Sequence, residues 1–432
     1  MTGRARAAIT GLGVRTPAGN DLKSFWAALL DGRSTARTIT SFDVTGLPVD
    51  FACQVPGFDT APYVTARLAR RMDPATLLAV CAADDALADA APERVPGEGQ
   101  GDGQGGGQGG GSGDRPGEGP SWVPPERRAV VTGTGLGGNA TVEAALLGHD
   151  RHGGPSALHV PRVMHNAAAA FISMRHRLLG PSLTLSTACA SGGHAIGEGL
   201  RLLRDGSADL VVAGGTEACV SATVLLAFHR CGALSQRVAE PERASRPFDA
   251  ARDGFVLAEG AAFVVLERLE DAVRRGARVY AELAGYGRTS DAHHLTSPEP
   301  GGGGAERCVR QALADARLSP GEVVHVNAHG SGTDLNDVTE ADVIARLFGR
   351  VPVTSTKGVL GHAIGAAGAI EAVAGALTLH ERVMPPTANL DVQDPRCDIE
   401  VVRRPRPLPP GAVLSNSFAF GGHNASLVLT PA

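Results

Sequence analysis

The sequence predicts an α/β protein, a sheet layered with helices, and two patterns carry that prediction. Short apolar runs bounded by Gly, Ser or Thr recur along the chain, as expected of strands buried on both faces. Between them lie longer stretches with helical spacing, and such alternation builds helix-covered sheets. With 432 residues the chain is long enough for one large unit or two fused halves.

RAAITGLG opens the chain as a strand, with no apolar signal-peptide core before it. ATLLAVCAADDALADA follows as a helix and RRAVVTGTG as the next strand. Residues 97–119, GEGQGDGQGGGQGGGSGDRPGEG, separate these two neighbours. More than half glycine, they cannot offset their ordering entropy and are expected to form a disordered surface insertion rather than a linker. SLTLSTA, ADLVVAGG, VYAELAGYG, VVHVNAHG and VPVTSTK read as further strands. GAERCVRQALADARL and GAIEAVAGALTLHERV read as helices.

Bulk properties exclude several functions. A net charge of −5 argues against nucleic-acid binding, which needs a basic excess. No apolar run approaches the about 20 residues that cross a bilayer. The seven cysteines are odd in number, scattered and without a CxxC pair. That pattern suits a reducing cytoplasm and predicts neither a disulfide framework nor a metal site.

Cys189, in STACASGGHAIGE, lies where a strand gives way to a helix. A lone cysteine in such a setting is either a small core residue or a nucleophile that helix amides favour as thiolate. The helix behind it holds Gly192, Gly193, Gly197 and Gly199, which cost helix propensity and make sense under tight burial. His329 (VNAHGSGTDLND) and His362 (STKGVLGHAIG) sit at similar glycine-hinged junctions. Lys357 precedes His362 by one short turn, while Asp337 and Glu340, three apart, would share a helix face. Together they form a candidate acyl-transfer set, although unrelated turns would show the same spacings. Gly133, Gly135 and Gly138 offer a rival, G-x-G-x-x-G after a strand. Its expected acidic partner about 20 residues on is missing.

Taken in order, RAAITGLGVRTPAGN, STACASG, ASRPFDAARDGFVLAEGAA, TSDAHHLTSP, NAHGSGT, STKGVLGHAIGAAGAIEA and NSFAFGGHNASLVL resemble the β-ketoacyl-acyl-carrier-protein synthases. These are elongating condensing enzymes of type II fatty-acid and polyketide systems, and the resemblance runs along nearly the whole chain. It implies a thiolase-like fold of two similar α/β halves in five layers, with residues 4–267 carrying the cysteine and 268–432 both histidines.

By the same resemblance Cys189 is the acyl-accepting nucleophile, and His329 and His362 handle malonyl decarboxylation. Lys357 would pair with the buried acid Glu340, with Asp337 beside it. Ser331, Thr333 and Thr296 would line the pantetheine tunnel. Phe418 and Phe420 belong to the closing motif, the latter gating the acyl pocket and supplying an oxyanion amide alongside that of Cys189. Leu136 would tip a turn shared by the acyl pocket and a dimer seam. Arg67, Arg70 and Arg71 would form a basic docking patch for the acidic acyl-carrier protein. No cofactor is implied, because substrates ride on the carrier's phosphopantetheine arm.

Chemistry gives this set its logic. A helix N-terminus would lower the thiol pKa without a paired base, and neutral imidazoles would donate to the enolate left by decarboxylation. Ala258, Ala262 and Ala419 stand where the family usually has glycine, and Gly232 where an arginine is expected. NAHGSGTDLND leans toward polyketide ketosynthases, STACASGGHAIGE toward fatty-acid enzymes. Two alternatives remain: a noncatalytic chain-length partner, which typically lacks the cysteine, and a thiolase, which needs a second catalytic cysteine near the C-terminus. A homodimer and a heterodimer with a ketosynthase-like subunit are both compatible with the sequence.

Overall fold

Each half of the chain builds the same five-stranded pattern. The computed structural model describes residues 4–91, 119–147 and 157–432, and the glycine-rich stretch 97–119 lies, apart from Gly119, outside them. The strands of the main sheet are β1 (Ala7–Arg15), β2 (Arg128–Gly133), β3 (Ser182–Leu185), β4 (Leu210–Glu217), β5 (Gly260–Arg268) and β6 (Ala281–Ser290). They continue with β7 (Val323–Asn327), β8 (Pro352–Thr354), β9 (Glu400–Val401), β10 (Ala412–Ala419) and β11 (His423–Thr430).

Their spatial order is β9-β8-β7-β10-β11-β6-β1-β5-β4-β2-β3. The first half runs β3-β2-β4-β5-β1 and the second β8-β7-β10-β11-β6. In both, the first three strands are parallel and the last two antiparallel. The halves meet through β1 and β6, where Ala7, Ala8 and Ile9 pair with Leu283, Glu282 and Ala281.

Helices complete the layers. Helix α1 (Pro74–Ala90) starts on Pro at its first position with Asp73 capping the Ala75 amide, and covers β1, β4 and β5 from outside. Helices α2 (Ser191–Arg204) and α5 (Ala367–Glu381) pack against each other between the half-sheets. On the far face, α3 (Gly303–Ala316) covers β6 and β11, with α4 (Asp334–Phe348) beside it. The result is five layers, helix-sheet-helix-sheet-helix, with one apolar core around the central helices and one beneath each outer helix layer. No helix among the described residues is long and apolar enough to cross a membrane.

The glycines of α2 have a steric cause. A Cβ on Gly192 would stand 2.7 Å from the Ala369 amide nitrogen of α5, and one on Gly197 would strike the Tyr286 ring of β6 at 2.3 Å. Lost helix propensity is offset by close approach of the α2 backbone to the second half of the chain.

Candidate active site

Turns following β2, β3, β7, β8 and β10 converge on one cavity of about 460 Å³, lined by Leu136, Cys189, His329, His362, Phe418 and Phe420 among others. Ligands of α/β proteins bind at such carboxyl ends. Ser331, Thr333 and Thr296 line the same space.

Cys189 is introduced by a strained turn. Ala188 holds φ +48°, a left-handed conformation that costs a non-glycine residue about 1–2 kcal/mol. Ser191 at the start of α2 fixes the turn, its Oγ donating to the Ala188 carbonyl at 2.7 Å and accepting from the Thr187 amide at 2.9 Å. The thiol is buried yet faces the cavity. Backbone N–H groups of Phe420 and of Cys189 itself face the sulfur, so two donors from opposite halves meet at one point. The Phe420 amide reaches it because Gly421 turns back at φ +80°, a conformation open to glycine.

The expected lowering of the thiol pKa is not what the structure holds. Burial pushes Cys189 up to about 11, outweighing the Lys357 charge and the two amides that favour thiolate. At neutral pH Cys189 is therefore a protonated thiol.

His329 and His362 stand together, ring centroids 5.3 Å apart and nearly perpendicular. Burial first, then the Lys357 charge, holds both well below the usual histidine range, so both imidazoles are neutral. The His329 turn is fastened by Glu340, which accepts from the amides of His329 (2.9 Å) and Gly330 (2.8 Å) and from Asn416 (3.2 Å). Asp337, one turn earlier on α4, accepts from Gly332 at 3.1 Å and Phe248 at 2.8 Å. His362 is set by its own backbone, which pairs with Val256 and Ala258, and by an edge-on contact with Phe255 at 5.2 Å.

Lys357 does not pair with Glu340, and the expected partnership is corrected. Its ammonium donates to Glu371 of α5, to the His329 carbonyl at 2.6 Å and toward His329 Nδ1 at 3.4 Å. Glu340 is already occupied by backbone amides, whereas Glu371 projects from the central helix onto the buried lysine. Burial raises Glu371 to about 7, with Lys357 pulling it back toward the carboxylate. Because an ammonium only donates, Nδ1 of His329 must accept and Nε2 must carry the proton.

Glu217 at the end of β4 was not anticipated, and it removes the dinucleotide reading. Its buried carboxyl group accepts from the Gly135 and Leu136 amides at 2.7 and 3.1 Å, so an internal acceptor already fills the turn that would cradle a phosphate. Asp291, Phe228, Phe255 and the exposed Cys231 also line the cavity without a sequence signal that singled them out. Cys397 is packed in the outer core of the second half, away from it.

Arg67, Arg70 and Arg71 lie outside the cavity, at and just after the short helix Ala66–Ala69; all are exposed, and none pairs with a carboxylate among the described residues. Gly232, where an arginine was expected, lines the cavity at φ +67° with open space around it.

Comparisons with known proteins bear on the family of the chain as a whole. The model of the beta-ketoacyl synthase N-terminal domain matches residues 4–272, and that of the C-terminal domain residues 280–391. A 3-oxoacyl-[acyl-carrier-protein] synthase 2 from Rhizobium meliloti is 40 % identical, covering 98 % of each chain. Among solved structures, the ishigamide ketosynthase/chain length factor superposes with a TM-score of 0.84 at 34 % identity over 100 % of both chains. A type II polyketide synthase acyl-carrier protein in complex with its ketosynthase gives 0.84 at 29 %, again over 100 % of both. Two domain models matched in chain order and a relative alike along nearly its whole length leave one conclusion: the chain belongs to the beta-ketoacyl synthase family.

Proposed function

We propose that this chain is a 3-oxoacyl-[acyl-carrier-protein] synthase, elongating an acyl chain held on Cys189 by decarboxylative condensation with malonyl-acyl-carrier protein. The single observation that carries the reading is the meeting of a thiol, two neutral imidazoles and the Phe420 amide around one cavity.

In the first half-reaction the Cys189 sulfur attacks the carrier thioester. Its bond to the acyl carbon forms, the pantetheine C–S bond breaks, and the thiol proton leaves on the pantetheine sulfur. The amides of Cys189 and Phe420 receive the oxygen charge. In the second, malonyl thioester loses carbon dioxide and leaves an enolate, whose oxygen takes hydrogen bonds from His329 Nε2–H and His362. The carbanion attacks the acyl carbon, a C–C bond forms, and the Cys189 C–S bond breaks; the thiolate released takes a proton from solvent and restores the thiol. Neutral donors suit this better than imidazolium, which would protonate the enolate.

Substrates arrive on the phosphopantetheine arm, past Thr296, Ser331 and Thr333, with the carrier seated near Arg67, Arg70 and Arg71. No further cofactor enters the scheme, and the cytoplasm suits seven free cysteines. The chain works as a dimer: β3 is a sheet edge, and exposed Leu183, Leu158, Val160, Met164, Met174 and Leu179 lie on it or in the 158–179 segment that precedes it. A second copy or a ketosynthase-like subunit would cover them. A noncatalytic role is disfavoured by the complete nucleophile and imidazole set, and a thiolase by the position of Cys397. Incubation with acyl-carrier protein and then malonyl-carrier protein tests the reading: a mass gain of one acyl group on Cys189, followed by β-ketoacyl product, is expected. No adduct on Cys189 would overturn it.

A further inference from the structure

Where the two halves cross, backbone touches backbone. A Cβ on Gly365, just past His362, would lie 2.2 Å from the Gly135 amide nitrogen, and one on Gly215 would lie 2.8 Å from the Gly365 carbonyl. Buried in this crossing, the Glu217 carboxylate accepts from four donors: the Gly135, Leu136 and Gly365 amides and the Thr134 hydroxyl, at 2.7, 3.1, 3.0 and 3.2 Å. Three of these hold the turn that lines the acyl side of the cavity; the fourth holds the turn that follows His362.

We propose that Glu217 is a positioning residue for the condensation, fixing the Leu136 turn and the His362 turn at one separation, so that acyl-chain length and imidazole placement are set together. This rests on the proposed reaction. The turns come from different halves, and the Glu217 carboxylate is the polar link that spans both of them. Close packing, with Ile364 within 2.9 Å of where a Gly135 methyl would sit, sets how near the turns can come, and the shared carboxylate keeps them from moving apart. A carboxylate offers enough lone pairs for four donors, whereas an amide offers a single acceptor oxygen. Burial raises the acid to about 7, while the four donors draw it back toward the carboxylate.

The test is Glu217→Gln in the full chain, with carrier proteins bearing acyl chains of graded length. Acyl loading on Cys189 is read by mass and condensation by steady-state kinetics. A misplacement near 1 Å lowers rate by about a hundredfold, so kcat should fall by about 10- to 100-fold, with KM for malonyl carrier changed less than about threefold. The ranking of acyl lengths in loading should shift as well. A merely structural role would lower every length by one factor, and that outcome, or no change, overturns the proposal. Should Glu217→Gln not fold, Gly135→Ala presses a methyl on Glu217 from the other side and must skew the same ranking; a uniform effect there also overturns it. Wild-type protein that never loads Cys189 would instead sink the proposed reaction itself.

Discussion

Lys357 Nζ lies 3.4 Å from Nδ1 of His329 and donates to the carbonyl of the same residue at 2.6 Å, with Glu371 as its third partner. One buried cation thereby sets the tautomer of the His329 imidazole.

Breaking this unit should separate stability from catalysis. Lys357→Met leaves Glu371 buried and unpaired, a loss of about 3–5 kcal/mol, and frees His329 to take the other tautomer. Lys357→Met combined with Glu371→Gln should recover most of the stability, measured by denaturant unfolding. Malonyl decarboxylation should stay about a hundredfold or more below wild type in both variants. Recovery of decarboxylation in the double variant would refute the tautomer role.

The two imidazoles should stay neutral on the acid side. Both histidines are held well below the ordinary value of about 6.5, so as pH falls through that value neither gains a proton. Nitrogen-15 NMR of histidine-labelled protein should therefore show both rings neutral from about pH 8 down to about pH 5.5, a readout that protonation of Glu217 or Glu371 at about 7 does not mimic. Titration of either ring at the ordinary histidine value would contradict this.

Cys189 behaves oppositely. With its thiol at about 11, the thiolate fraction grows as pH rises toward that value. Alkylation of Cys189 by iodoacetamide, followed by mass, should accelerate about tenfold per pH unit between about 7 and 9. A plateau below about pH 8 would mean the thiol is already ionised.

The basic patch should govern carrier recognition alone. Arg70→Glu with Arg71→Glu should raise KM for acyl-carrier protein about tenfold or more, most at low salt, and leave Cys189 alkylation unchanged. An unaltered KM would move the docking site elsewhere.

Much of the site was readable in the sequence because its chemistry stands at strand ends. Cys189, His329 and His362 each follow an apolar run that turns toward a helix, and the cavity gathers all three; the run before Cys189 is an exposed sheet edge rather than the doubly buried strand its residues suggest. Glu371 escaped notice because it lies inside an alanine-rich helix, fourteen residues past Lys357, where spacing says nothing about a through-space partner. Glu217 escaped for a similar reason, since its partners come from two turns remote in sequence. The strain at Ala188 left no trace, because alanine carries no signature of a left-handed backbone. Desolvation is equally silent: the sequence shows a helix start behind Cys189 but not the depth that overrides it.

The repeated strand order has a consequence for how labour is divided. β2 corresponds to β7, β3 to β8 and β4 to β10. The Leu136 turn is thus the counterpart of the His329 turn, the Cys189 turn of the Lys357–His362 turn, and Glu217 of the Phe418–Phe420 segment. Each of these three turns has a twin in the other half, and within each pair the two copies hold different duties. The same three turns are thus supplied twice, and condensation draws on both sets because the fold brings them face to face.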